Sequence, residues 1–471
     1  MAKTIAQKIK KNDQSTPFLN LKERLAQGKA LREQTPRGTH AKWQPPKSRR
    51  DPVEILSASN TGRIEQLIPI RFGRMSQSPF AFYRGAAALM AADLATTPNS
   101  GLRVQACGDA HLMNFGGFGT PERNVVFDIN DLDETLPAPF EWDLKRLAAS
   151  VVIAAKHIGF STSDASSIAT EMVQEYRERM NEYADMRALD VWYDKIDLKN
   201  YQNRSADPEV VKRIRKKLAE RIGQEERKSH PDTLYPKLVV KQGATPMIKD
   251  EAPLIFHPTA DWAPGLTAGY RPVIDAYRKS LPEHIQTLFS RFHFFDFAIK
   301  VVGVGSVGTW CGVALFMAHD NDPLFLQVKE ARMSVLEPYA GKSLHANKGQ
   351  RVVTGQRLMQ TASDAFLGWT RGMNGRDFYI RQLRDMKLSA IIEDWDIQTM
   401  THYAKMCAHA LARAHARSGD AAMMSGYMGT SRTFDQAIGA FAVEYAAQNN
   451  QDFKVFIEAI RTGRIQAQMN A

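Results

Sequence analysis

Cysteine is scarce in this chain: Cys107, Cys311 and Cys407 are too few and too scattered for a disulfide framework or a zinc knuckle, and a reducing cytoplasm is the natural setting. No apolar run approaches membrane-spanning length, and Met1–Lys8 lacks the apolar stretch of a signal peptide, so export and integral membrane insertion are not expected. Acidic residues are in deficit. Among 471 residues, 62 Lys and Arg stand against 51 Asp and Glu, a formal charge of +11 that favours nucleic acid, an acidic membrane face or nucleotide phosphates as company. The excess gathers in the first fifty residues and in Lys212, Arg213, Arg215, Lys216, Lys217 and Arg221. No aromatic residue interleaves that second cluster to stack bases, so nucleic acid is not favoured and a solvated helix face is the default reading.

The residues that stand out are Cys107-Gly108-Asp109-Ala110-His111-Leu112-Met113-Asn114, followed by the apolar triplet Val125-Val126-Phe127 and then Asp128. A carboxylate, an amide five residues later and a carboxylate ending a short strand can hold a phosphate-bound metal and steer a nucleophile. The spacing predicts Asp109 as base or orienting group, with Asn114 and Asp128 as ligands of Mg²⁺, a hard ion that takes oxygen. A polar turn before a strand is the plain alternative. Asp131 and Asp133 read either as further metal ligands or as a hydrogen-bonded turn; Asp128 is preferred because the triplet before it sets its direction. His111 would hydrogen-bond the loop or touch a phosphate. Asp109-x-His111 also matches the opening of binuclear metallophosphoesterases, whose Gly-Asn-His ligands have no counterpart downstream. Arg84, near the start of a helix expected from about Tyr83 to Leu94, either reaches a phosphate or caps a carboxylate.

In the second half, Phe297–Val302 reads as a strand, Gly303-Val304-Gly305-Ser306-Val307-Gly308 as a glycine-rich turn, and Leu324–Glu330 as a strand carrying Lys329. Glycine lets the backbone approach phosphate oxygens, and an amine on a neighbouring strand can pair with them. Gly303, Gly305, Ser306, Gly308 and Lys329 are therefore expected to bind nucleotide phosphates. The same turn is a dinucleotide fingerprint if Thr309–His319 is helical. Thr309-Trp310-Cys311-Gly312-Val313 starts a helix poorly, and Asp320-Asn321-Asp322-Pro323 reads as a hairpin turn, so a β-meander is expected instead. A helix over roughly Gln350–Asp364 and strands at Phe366–Trp369 and Phe378–Leu383 follow; the helix offers no glutamate to pair with Lys329. Elsewhere, Ile68–Phe72 is strand-like, a hairpin is expected near Lys237–Phe256, and apolar stripes such as Phe434, Ile438, Phe441 and Tyr445 mark core helices.

The segment Phe140-Glu141-Trp142-Asp143-Leu144-Lys145-Arg146-Leu147 resembles the helix after the metal aspartate in phosphotransferases of the aminoglycoside and choline kinase type. That resemblance implies that Asp143 braces the catalytic loop; capping a helix that runs to about Ile158 is its other reading. The whole pattern implies an α+β, two-lobed, protein-kinase-like fold using ATP and Mg²⁺ on an unidentified acceptor. The catalytic loop comes about 190 residues ahead of the glycine turn, the reverse of an ordinary kinase, which implies circular permutation. The expected units are a basic arm (1–74), the catalytic-loop part of the helical large lobe with an insertion (75–294), a nucleotide-binding small lobe (295–387) and C-terminal helices (388–471). SPFAFYRGAA (Ser78–Ala87), CGDAHLMNFG (Cys107–Gly116), FDINDLDE (Phe127–Glu134), EWDLKRLA (Glu141–Ala148), LQVKEA (Leu326–Ala331), YIRQLRDMK (Tyr379–Lys387) and ALARAHARSGD (Ala410–Asp420) resemble the bacterial domain of unknown function 2252 family. Two other function classes stand beside the phosphotransferase: a catalytically silent nucleotide-binding scaffold, suggested by the missing helix glutamate, and a Rossmann-type NAD(P)-dependent oxidoreductase.

Overall fold

Antiparallel sheets and long buried helices form the α+β architecture of the computed structural model, which describes residues 19–199, 220, 222–225, 231–243, 245–257, 266–301, 303–320, 322–372, 374–383 and 387–468. The basic cluster Lys212, Arg213, Arg215, Lys216, Lys217 and Arg221 lies outside them. Among the described residues no helix is long and apolar enough to cross a membrane. The first half contains α1 (Leu21–Gln34), α2 (Ile68–Met75), α3 (Pro79–Gly85), α4 (Ala87–Leu94), β1 (Arg103–Ala106), β2 (Phe115–Gly119), β3 (Val125–Ile129), β4 (Leu136–Pro139), α5 (Phe140–His157) and α6 (Thr162–Asp185). After β5 (Ile196–Asp197) and a β6–β7 hairpin (Val239–Gln242, Thr245–Ile248) come β8 (Ile255–Phe256), β9 (His293–Lys300), β10 (Cys311–Met317) and β11 (Pro323–Ala331). Helix α7 (Lys348–Met359), β12 (Gly368–Arg371), β13 (Asp377–Gln382), β14 (Leu388–Ser389), α8 (Ile397–Ser418), α9 (Ala421–Met428) and α10 (Thr433–Arg461) complete the chain.

Helix α5 is the spine of the larger core. Leu, Ala, Val and Ile dominate it with no internal Gly or Pro, and Phe140–Ala155 are all buried, as expected of a helix packed on every side. α10 and α6 pack against it, while α8 packs on α6 and β3. The stripe Phe434, Ile438, Phe441 and Tyr445 on α10 belongs to this core.

The second sheet has the order β12-β13-β11-β10-β9-β8, with every neighbouring pair antiparallel. β9, β10 and β11 form an antiparallel meander; the chain then crosses through α7 and returns with β13 beside β11. Thr309–His319 thus contains a strand, not the helix that a parallel dinucleotide-binding unit requires. β14 leaves this sheet and pairs with β2, joining the sheet to the β2–β3 hairpin.

Four local expectations differ from the structure. Ile68–Phe72 is helical: Pro69 sits in the first turn, where its fixed φ suits a helix, and Phe72 and Met75 are buried three residues apart. The helix expected over Tyr83–Leu94 is two helices, α3 and α4, broken at Ala86. The helix expected over Gln350–Asp364 stops at Met359, and Asp143 lies in the first turn of α5, behind Pro139 at its cap.

From residue 19 onward, the N-terminal segment is folded onto the body. Gly28 of α1 and Gly426 of α9 let two backbones touch; a Cβ on Gly28 would sit 2.0 Å from Met423 O. Arg24 pairs with Asp420 at 2.7 Å. Arg49 donates to Asp93 of α4 and Asp452 of α10 through four hydrogen bonds of 2.7–2.8 Å, and Tyr445 donates to the same Asp93 at 2.9 Å. Replacing Arg49 by Met leaves two buried carboxylates unpaired, so urea unfolding of the variant is expected to show a loss of about 3–5 kcal/mol.

Candidate functional site

One stripe of α5 holds the Cys107–Asn114 loop. Asp143, Arg146 and Ser150 are three and seven residues apart, which places them on one helix face. The Asp143 carboxylate accepts the backbone N–H groups of Cys107 and Gly108 at 2.5 and 2.9 Å, and Ser150 Oγ accepts that of Leu112 at 2.9 Å. His415 of α8 reaches Asp143 at 3.1 Å through Nε2 and Tyr176 at 2.7 Å through Nδ1. Gly108 has φ +81°, and a Cβ there would lie 2.5 Å from Glu134 O, so the loop can press this close to the next one only with glycine.

Arg146 grips Asp109 with Nε at 2.8 Å and with one terminal nitrogen, while its guanidinium stacks 4.5 Å over the Tyr83 ring. Burial pushes the Asp109 carboxyl up to about 6 against the pull of Arg146, yet 22% of its side chain remains exposed. It is both reachable and poised near neutrality, as a proton acceptor requires. Beside it, burial and the Arg146 and Arg84 cations keep His111 well below its ordinary range, so the ring is neutral. His111 Nδ1 is buried without a hydrogen-bond partner.

Asn114 Nδ2 donates to the carbonyls of Asp109 (3.0 Å) and Asp131 (2.9 Å). Carbonyls only accept, so these contacts fix which end of the amide is nitrogen and leave Oδ1 as the acceptor end. The Asp131 carboxylate meets Lys329 of β11 at 3.0 Å, and Asp133 meets it at 2.6 Å, across 198 residues of chain in the first case. Strand register explains the convergence. Lys329 stands opposite Tyr379, and Gln327 opposite Arg381, so these side chains share one face of the sheet. Tyr379 donates to Asp133 at 2.6 Å, and Arg381 donates to Asn130 O and Gln327 at 3.1 Å. Burial opposes ionisation of Asp131, but Lys329 and Arg381 hold it well below the usual carboxylate range; burial and the adjacent Asp131 raise Asp133. Lys329 stays charged, because the two acids outweigh the burial of its ammonium.

The helix after the lysine strand supplies an arginine where a glutamate was sought. Arg351 of α7 is buried and donates to Thr135 O (2.6 Å), Asp133 O (2.8 Å) and Arg332 O (2.8 Å), and Gln360 donates to Ile129 O at 2.7 Å. The acidic loop is thereby clamped by its main chain. Glu330, adjacent to Lys329, is taken by Arg376 at 2.6 Å and by Trp310 N at 3.1 Å.

Asp128 stands apart from the set expected for it. It is fully buried in contact with Arg413 of α8 at 2.5 Å, and its second oxygen accepts Thr361 N at 2.8 Å. Asp131 and Asp133, three and five residues later, are the carboxylates that face Lys329 beside Asn114; the turn after β3 redirects the chain and the apolar triplet does not. The glycine turn lies between β9 and β10, with Gly303 and Gly308 at positive φ, and docks on the α2–α3 region: Arg74 donates to Gly303 O at 2.6 Å and Ile64 N to Gly308 O at 2.7 Å. A Cβ at Gly305 would sit 3.5 Å from Arg84 O. Ser306 O accepts from Thr309 at 2.7 Å.

Arg146, Ser150, Arg351, Tyr379 and Arg381 escaped the reading of the sequence. For the first two a signal existed: polar residues at helical spacing after Asp143 in an otherwise apolar helix. Asp131 and Asp133 already accept from Lys329, Tyr379 and the Asp133 N–H, and among the described residues no group of three or more His, Cys, Asp or Glu is arranged to hold a metal. Asp128→Ala strands the Arg413 charge and is expected to cost about 3–5 kcal/mol in urea unfolding. Asp131→Ala, whose lysine partner keeps Asp133, should cost about 1 kcal/mol.

No curated protein and no solved structure matches the chain. A family model described as "Uncharacterized protein conserved in bacteria (DUF2252)" matches residues 63–459, and the chain belongs to that family.

Proposed function

We propose that this protein is a magnesium-dependent phosphotransferase that moves the terminal phosphoryl group of ATP to an acceptor hydroxyl. The observation that carries the reading is the contact of Lys329, from the β9–β13 sheet, with Asp131 and Asp133, whose loop Asn114 ties to Asp109. A strand lysine, a metal-binding Asp and Asn and a separate base are the parts phosphoryl transfer needs. The sheet supports the same reading: a glycine turn joins its first hairpin, the lysine is on the next strand, a helix follows, and two more strands lead to β14 on the catalytic hairpin. Those are the parts of a kinase-like nucleotide lobe in order, with the catalytic loop ahead of them, a circular permutation.

In this reading Asp109 accepts the acceptor's proton, and Lys329 with the Gly303–Gly308 turn holds the phosphates. Asn114 Oδ1 and Asp131 ligate Mg²⁺, with Asp133 beside them, and Asp143 keeps the loop in place. Mg²⁺ in such sites takes one or two carboxylates and completes its shell with phosphate oxygens and water, neutralising charge on the nucleotide. The absent helix glutamate does not argue for a silent scaffold, because two aspartates already hold Lys329.

Calorimetric titration is expected to show ATP binding that depends on Mg²⁺, weakened about tenfold or more by Lys329→Met or Asp131→Ala. Asp109→Asn should retain binding and lose about 100-fold in ATP turnover. Binding that ignores the divalent cation and both of the first two substitutions would overturn the reading.

A further inference from the structure

The phosphotransferase reading leaves one half-buried cation, Arg84, without a task. Arg84 lies in the last turn of α3, its Nε is buried with no hydrogen-bond partner, and no described residue forms an ion pair with its guanidinium. Its backbone is pinned on both sides: Tyr83 O accepts Arg146 at 3.3 Å, the same Arg146 that holds Asp109, and Gly85 O accepts Arg71 at 2.9 Å. The Arg84 carbonyl itself lies against Gly305, 3.5 Å from where a Cβ would be. The side chain acts electrostatically on Asp109, His111 and Glu393 without bonding any of them. A guanidinium cannot shed its charge to ease burial, so a partnerless one beside the base is set for an anion from outside the chain.

We propose that Arg84 is a catalytic residue that contacts the phosphoryl group in transit, an arginine supplied by the same chain between the glycine turn and Asp109; this rests on the phosphotransferase reading. In that step the acceptor oxygen bonds to the terminal phosphorus of the nucleoside triphosphate, and the bond from that phosphorus to the bridging oxygen breaks. The proton passes to Asp109 and the electron pair leaves with the nucleoside diphosphate. Charge spreads over the three equatorial oxygens meanwhile, and the planar fork of Arg84 matches them. His111, whose Nδ1 is buried without a partner, feels the Arg84 charge as well.

The test compares the full-length protein with Arg84→Met and Arg84→Lys, using MgADP with aluminium fluoride as the probe of the transferring group and water as the acceptor. Arg84→Met is expected to bind MgATP within about threefold of the parent protein, while losing about 100-fold in ATP hydrolysis and a comparable factor in affinity for the fluoroaluminate complex. Arg84→Lys should recover part of both. The melting temperature without ligand should not change, because no partner is lost. Equal affinity of Arg84→Met and the parent for the fluoroaluminate complex overturns the proposal and points to an anion on the acceptor instead. A fall in MgATP affinity that matches the fall in turnover also overturns it. If the parent protein itself fails to bind MgATP, the phosphotransferase reading has failed, an outcome distinct from either of these.

Discussion

A buried ammonium needs acids around it, and in this fold the need is met by residues almost 200 positions away. Lys329 sits between Asp131 and Asp133, so the β9–β13 sheet cannot adopt its place without the acidic loop, nor the loop without the sheet. The desolvation cost of three charges is offset only if the geometry holds, and the structure invests many contacts in holding it. Tyr379 fixes one oxygen of Asp133, and Arg351 and Gln360 fix the loop main chain. Arg381 reaches Asn130 O beside them. β14, immediately after the sheet, adds a strand to the β2–β3 hairpin that carries the loop.

The larger core follows the same logic on the other side of the site. α5 is almost entirely buried, yet it carries Glu141, Asp143, Lys145, Arg146 and Ser150. Each is used: Glu141 accepts Ser100 N, Lys145 donates to Pro98 O, and the other three fasten the Asp109 loop. Buried polar groups of this kind give a loop one position where apolar packing alone would allow several. α8 adds a second layer, with His415 behind Asp143 and Arg413 behind Asp128. Charges that a sequence would assign to chemistry thus serve partly as framework.

Much of the framework was legible in local pattern. The strands around Phe297 and Lys329, the turn at Asp322-Pro323, the helix before Met359 and the stripes of the C-terminal helices follow from periodicity and turn chemistry, which act within a few residues. Ile68–Phe72 misled because alternation over five residues does not distinguish a strand from a helix begun by Pro69. Asp143 accepts the loop N–H groups of Cys107 and Gly108, and Arg146 and Ser150, on the same stripe, gain meaning only once the loop is seen against them.

What the sequence determined unaided is the α+β character and most element positions, since these depend on neighbours in the chain. Which aspartate of Asp128, Asp131 and Asp133 meets Lys329, why Arg413 claims the first, and that the Arg84 carbonyl comes against Gly305 were decided only in three dimensions. The reason is physical: the direction of a side chain after a turn, and the partner of a buried charge, are set by what packs against it from distant segments, and those distances in sequence carry no local signal.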